Sequence, residues 1–176
     1  LTVCELEDGT LSLDVQPVPV RRIFDAWYDA IHSLLMHSGK PVHLILNNKV
    51  PGEETVMVDE ARLMQALSSL ASNAVKFSDF GHIALLVERT EDRLVFRITD
   101  EGNGIHPDNA KNIFERYWQV DSGPTRNADG VGLGLPVARD LVRLMGGQID
   151  VLSRRSKGAE FTVSFPVDAG TALAQV

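Results

Sequence analysis

Helical and strand-like periodicities interleave along this chain, and that alternation limits its fold more than any other feature. Val20 to His37 carries Ile23, Phe24, Trp27, Ile31, Leu34 and Leu35 at helical spacing, with Gly39 suited to a helix C-terminus. Asp59 is a good N-cap for a helix from Glu60 to Phe77, in which Leu63, Leu67, Leu70, Ala74 and Phe77 recur at steps of four and three as a core stripe. Leu135 to Met145 reads as a further helix ending at Gly146-Gly147, and Pro107 to Phe114 as a short one. Between these lie strand-like runs at Leu11–Val15 and Val42–Leu46, and a loop at Pro51–Thr55. Ile83–Glu88 with Leu94–Thr99, and Ile149–Leu152 with Phe161–Phe165, read as antiparallel hairpins. Helices and strands in this order, closed by hairpins, predict an α/β two-layer sandwich: a mixed β-sheet with helices packed on one face.

The 176 residues suffice for one ordinary domain with a real core. Organisation is expected in three parts: residues 1–10 as the end of a helix or linker, 11–167 as the domain, and 168–176 as a tail or linker. The first residue is not Met and no signal peptide is visible, so a piece of a longer protein is expected. No apolar run approaches the roughly 20 residues that cross a bilayer. A net charge of −7 argues against a general nucleic-acid or acidic-membrane surface. Any polyphosphate would therefore have to be held by local donors and a metal. Cys4 is the only cysteine, which leaves no internal disulfide and no cysteine metal cluster.

Two glycine-bearing segments follow the helix of residues 60–77. Asp100-Glu101-Gly102-Asn103-Gly104-Ile105 directly follows an apolar strand, and Gly130-Val131-Gly132-Leu133-Gly134-Leu135 directly precedes a helix. Glycines so spaced let backbone N–H groups approach phosphate, and a helix N-terminus adds positive potential. Neither segment is a P-loop or a dinucleotide fingerprint. On the helix, Ser69, Asn73 and Lys76 share one side beside the apolar stripe. An amide oxygen can ligate Mg²⁺ and an ammonium can meet phosphate. Taken alone, these residues are also what the solvated face of any amphipathic helix carries, and Asp100-Glu101-Gly102 is also what a plain turn looks like. Residues 121–134 are rich in Gly, Pro, Asn and Ser, a composition that reads as a functional lid or a disordered stretch.

Together these parts resemble the catalytic and ATP-binding domain of sensor histidine kinases, in the GHKL ATPase superfamily with its Bergerat fold. Asp59–Leu63 through Asn73–Ser78 looks like the N box, Asp100–Ile105 the G1 box, Ile113–Gln119 the F box and Gly130–Leu135 the G2 box. The resemblance implies a protein-histidine kinase domain with ATP and Mg²⁺ as cofactors. Residue by residue, it implies that Asn73 ligates Mg²⁺ and Lys76 meets phosphate. Asp100 would read adenine, with Gly102, Gly104, Ile105 and Phe114 shaping the pocket. Gly130, Val131, Gly132, Leu133 and Gly134 would close over the phosphates. Tyr117 and Trp118 fall in the lid's hinge, where simple core packing is the equal alternative.

Three positions depart from the family pattern. Ser69 stands where the family often has a second Asn and where hydrolytic members hold a general-base Glu, which implies poor ATP hydrolysis. Gln119 stands where some members have an Arg that assists transfer. Ala159 stands where a Ser or Thr often follows the last hairpin glycine. None of His32, His37, His43, His82 and His106 is followed by Glu or Asp, so each reads as a surface or packing histidine. The acceptor histidine is expected on an upstream dimerisation domain of the same protein. The resemblance further implies a homodimer, a response-regulator receiver domain as partner, and the cytoplasmic part of a bacterial sensor. Nucleic acid and direct membrane contact are not expected. The rival reading is a degenerate GHKL regulatory module that docks on another kinase with weak or no nucleotide binding. A stand-alone anti-sigma-type serine kinase fits less well with the start of the chain.

Overall fold

A computed structural model of the chain describes residues 11–106, 109, 112–116, 132–153 and 157–167. The segments 1–10 and 168–176, assigned above to linkers, lie outside them, as do Cys4 and half of the short helix expected at Pro107–Phe114.

The main sheet has five strands: β2 (Val42–Asn48), β4 (Gly81–Arg89), β5 (Arg93–Asp100), β6 (Gln148–Ser153) and β7 (Ala159–Pro166), in the spatial order β2-β4-β5-β7-β6. β2 runs parallel to β4 and every other pairing is antiparallel. A parallel pair needs a crossover, and here it contains α2 (Glu60–Phe77). The other helices are α1 (Val20–Ser38) and α3 (Gly134–Leu144). The mixed sheet expected from the interleaved periodicities is present, and both hairpins lie where alternation placed them.

Alternation along the strands assigns the faces. Ile83, Leu85 and Val87 of β4, Phe96 and Ile98 of β5, and Phe161 and Val163 of β7 are buried with Trp27, Ile31, Leu63 and Leu67 of the helices. Trp27 packs edge-on to Phe96 at 6.4 Å, and its indole N–H donates to the Leu67 carbonyl at 3.1 Å. One residue thus joins α1, α2 and the sheet and satisfies its own polar atom. The opposite face of the sheet carries Arg97, held by Glu88 at 3.5 Å and Glu160 at 3.4 Å across three strands.

Two expectations need correction. Leu11–Val15 is not a strand; β1 is Gln16–Pro19, paired antiparallel with β3 (Thr55–Val58), which begins at the last residue of the loop expected at Pro51–Thr55. Gln16 pairs with Val58, and the next residue, Asp59, caps α2. The ladder stops there: the Asp14 N–H donates to the Asp59 carboxylate instead of to a strand. Phe77 does not belong to the core stripe, being 50% exposed. From Ala74 the stripe steps by four to Ser78, which is fully buried.

Candidate functional site

α2 holds the first group of candidate residues. Its start is fixed by Asp59, whose side chain accepts the Arg62 N–H at 3.1 Å. Its end is fixed by Lys40, whose ammonium donates to the Val75 carbonyl at 2.9 Å and the Lys76 carbonyl at 2.8 Å. A cation there suits the negative end of the helix. Between these anchors Ser69 and Asn73 are half-buried and Lys76 is exposed, its ammonium 5.6 Å from the Phe77 ring centre. The Ser69 hydroxyl donates to the Gln65 carbonyl at 3.3 Å, a local helix bond.

The second glycine segment reaches the same place. α3 starts at Gly134, where an added Cβ would lie 3.7 Å from the Ser69 oxygen. Gly132 has φ +69. Leu133 occupies the N-cap and provides no side-chain cap. Among the described residues no side chain caps the first amides of α3, which suits them to an anion. Gly134, expected within the loop, is the first residue of the helix. Gly130 and Val131 lie outside the described residues, as do Tyr117, Trp118, Gln119 and the rest of the expected lid.

The first glycine segment is built around Asp100, the last residue of β5, which is only 6% exposed. Its Oδ1 accepts N–H bonds from Gly102 at 2.9 Å and Ala159 at 3.3 Å. Burial raises the carboxyl above its ordinary pKa, and those two backbone N–H bonds pull it back. Both bonds go to one oxygen, which leaves Oδ2 as the acceptor available to a ligand. The backbone is packed so closely here that side chains are excluded. A Cβ on Gly102 would lie 2.3 Å from the Phe77 carbonyl oxygen, and one on Gly158 only 1.8 Å from the Asp100 carbonyl oxygen. Gly104 turns the chain at φ +63, and the following Ile105 packs against the core.

The F-box segment rests on α3. Ile113 is buried, the Arg139 guanidinium stands 5.8 Å from the Phe114 ring centre, and Arg116 pairs with Asp140 at 3.2 Å. All five histidines are exposed, as expected. His82 has a partner the sequence did not suggest: Glu101 Oε2 lies 3.1 Å from its Nδ1 and accepts its backbone N–H at 3.0 Å. Those bonds hold the Glu101 carboxyl below its ordinary pKa. The structure thus brings the Asn73 face of α2 to the start of α3, and Asp100 to the β6–β7 turn. Sequence reasoning missed Ser153 and the need for Gly158. The family pattern and a Lys-Gly pair mark Gly158 as the last hairpin glycine, but neither signals its close approach to Asp100.

The sequence profile of the family described as "Histidine kinase-, DNA gyrase B-, and HSP90-like ATPase" matches residues 58–169. The chain belongs to this family. Among curated relatives it is 34% identical over 175 residues to the signal transduction histidine-protein kinase BarA of Escherichia coli K12, covering 96% of this chain and 19% of BarA. It is 37% identical over 164 residues to the aerobic respiration control sensor protein ArcB of the same organism, covering 91% of this chain and 21% of ArcB. The chain therefore spans about a fifth of the length of these relatives. Among solved structures, full-length ShkA in complex with AMPPNP superposes with a TM-score of 0.77 at 29% identity, over 94% of this chain and 34% of that one. The α/β architecture with its mixed sheet is that of histidine kinase catalytic domains.

Proposed function

We propose that this chain is the ATP-binding catalytic domain of a two-component sensor histidine kinase. It would present the γ-phosphate of ATP to a histidine on a dimerisation domain of the same protein. The observation that carries this reading is the buried Asp100, its Oδ1 occupied by two backbone amides and its Oδ2 left to accept an amino N–H from adenine. The name of BarA as a signal transduction histidine-protein kinase, and the AMPPNP complex of ShkA, support it.

In this reading Gly102, Gly104, Ile105 and Phe114 shape the base pocket. Lys76 meets phosphate as a point charge, and Gly130, Val131, Gly132, Leu133 and Gly134 bring backbone amides over the phosphates at the start of α3. Among the described residues no group of three His, Cys, Asp or Glu side chains converges on a metal position. The half-buried Asn73 amide, beside the α3 start, fits a site where Mg²⁺ takes one protein oxygen and the rest from phosphate and water. Bound there, Mg²⁺ would neutralise charge on the phosphates. The chain's contribution to transfer is positioning and charge, with Gln119 hydrogen-bonding in place of a cation. Residues 11–167 form the domain, flanked by linkers. The whole protein would be a cytoplasmic homodimer serving a receiver domain. No helix among the described residues is long and apolar enough to cross a membrane.

The test is radiolabelled ATP with the chain alone and then with the dimerisation domain supplied. Label is expected only in the second mixture, on histidine, and with little ATP hydrolysis in the first because Ser69 cannot act as a base. Absence of label in both, despite measured ATP binding, would favour the regulatory-module reading.

A further inference from the structure

The ends of the Asp100–Ile105 segment are joined through a hydroxyl that belongs to neither glycine motif. Ser153, the last residue of β6, accepts the Ile105 N–H at 2.7 Å and donates to the Gly158 carbonyl at 2.7 Å. That carbonyl belongs to the peptide unit joining Gly158 to Ala159. The N–H of the same unit donates to Asp100 Oδ1 at 3.3 Å. The bonds therefore run in one chain: from Ile105 to Ser153, through one peptide plane, to the carboxylate of Asp100, which also accepts the Gly102 N–H. A hydroxyl offers one donor and two lone pairs, so it can serve both neighbours at once.

We propose that Ser153 is a positioning residue for adenine recognition: through the Gly158–Ala159 peptide it sets the direction in which Asp100 offers Oδ2 to the base. The inference rests on the nucleotide reading above. Gly158 cannot shift toward β5, because its backbone already lies against the Asp100 carbonyl. What is left to the plane is tilt, and the Ser153 hydroxyl restrains it. Without that hydroxyl the Gly158 carbonyl loses its acceptor role and the Ile105 N–H loses its partner. The plane can then rotate, carrying the Ala159 N–H off Oδ1 and freeing the carboxylate to turn. Bonds linked in series strengthen one another, so loss of the middle member weakens both sides.

The experiment is calorimetry of the chain with Mg-ATP and with the triphosphate of purine riboside, which lacks the 6-amino group. Wild type is expected to prefer ATP, and Asp100→Asn to lose that preference. Ser153→Ala is expected to bind ATP about tenfold more weakly, near the cost of one net hydrogen bond, with most of the preference gone. Ser153→Thr should restore both affinity and preference. If Ser153→Ala weakens both nucleotides equally, or not at all, Ser153 is structural and the proposal is overturned, as it is if Ser153→Thr fails to restore. If Asp100→Asn keeps the full preference, the nucleotide reading itself falls. Should Ser153→Ala not reach the wild-type circular dichroism spectrum, Ser153→Cys, with its weak donor, is read in its place.

Discussion

A methyl group added at Gly158 would lie 1.8 Å from a backbone oxygen, whereas one added at Gly134 would meet only the Ser69 side chain, at 3.7 Å. Both glycines border the candidate site, one at the Asp100 end and one at the start of α3. At the first, backbone is stacked on backbone, and the carboxylate is held by one amide from the loop after β5 and one from the start of β7. At the second, helix packs on helix at ordinary van der Waals distance, and the polar groups are left partly exposed. The contrast suits the two halves of a nucleotide. A flat base with one exocyclic amine needs a rigid acceptor, whereas phosphates are gripped by many weak donors that can adjust around them.

The largest test of that contrast is Gly158→Ala. With φ +78 and no room for Cβ, it should cost about 3 kcal/mol or more in urea unfolding. Wild-type stability would mean that the Asp100 end is as accommodating as the other. Asp100→Asn should cost about 1–3 kcal/mol of ATP affinity, since an amide N–H would face the adenine donor. Its effect on the ligand-free chain has the opposite sign. The folded pKa of Asp100 lies above the ordinary 3.8, so folding is favoured below that value and loses support as pH rises through the raised one. At neutral pH the buried carboxylate therefore costs stability. Asn should unfold at an equal or higher urea midpoint there and lack that part of the pH slope. A neutral-pH loss of stability in Asp100→Asn would contradict this account.

Asn73→Ala sharpens the phosphate side. It should lose about 1–2 kcal/mol of ATP binding in Mg²⁺ and almost none in EDTA, with the unfolding midpoint nearly unchanged. Equal losses in both buffers would remove Asn73 from the metal. The smallest effect is expected at Gly134→Ala. Free space and better helix propensity should leave stability equal or raised by about 0.5 kcal/mol. A large destabilisation would mean that α3 starts as tightly packed as the turn at Gly158.

Much of this was legible along the chain, for a physical reason specific to each element. α2 was readable to the residue because Asp59 and the Leu63–Leu67–Leu70–Ala74 stripe are local signals. The hairpins were readable because each strand's partner follows it after a short turn. β1 and β3 were not, since two four-residue strands 36 positions apart carry too little alternation and define each other only by pairing. Phe77 was misplaced because an apolar residue at a helix end obeys the periodicity whether or not anything remains for it to cover.

By itself, the sequence determined which residues could line one face and which types of group could meet a nucleotide. Periodicity and glycine spacing are properties of neighbours, so one strand of text holds them. Tertiary structure alone decided which Asp100 oxygen stays available, why Gly158 admits no side chain, and that Ser153 closes the circuit between Ile105 and Asp100. Those facts depend on backbone groups from segments about fifty residues apart meeting within hydrogen-bond distance. Backbone amides are identical at nearly every position, so no residue letter marks the ones that will meet.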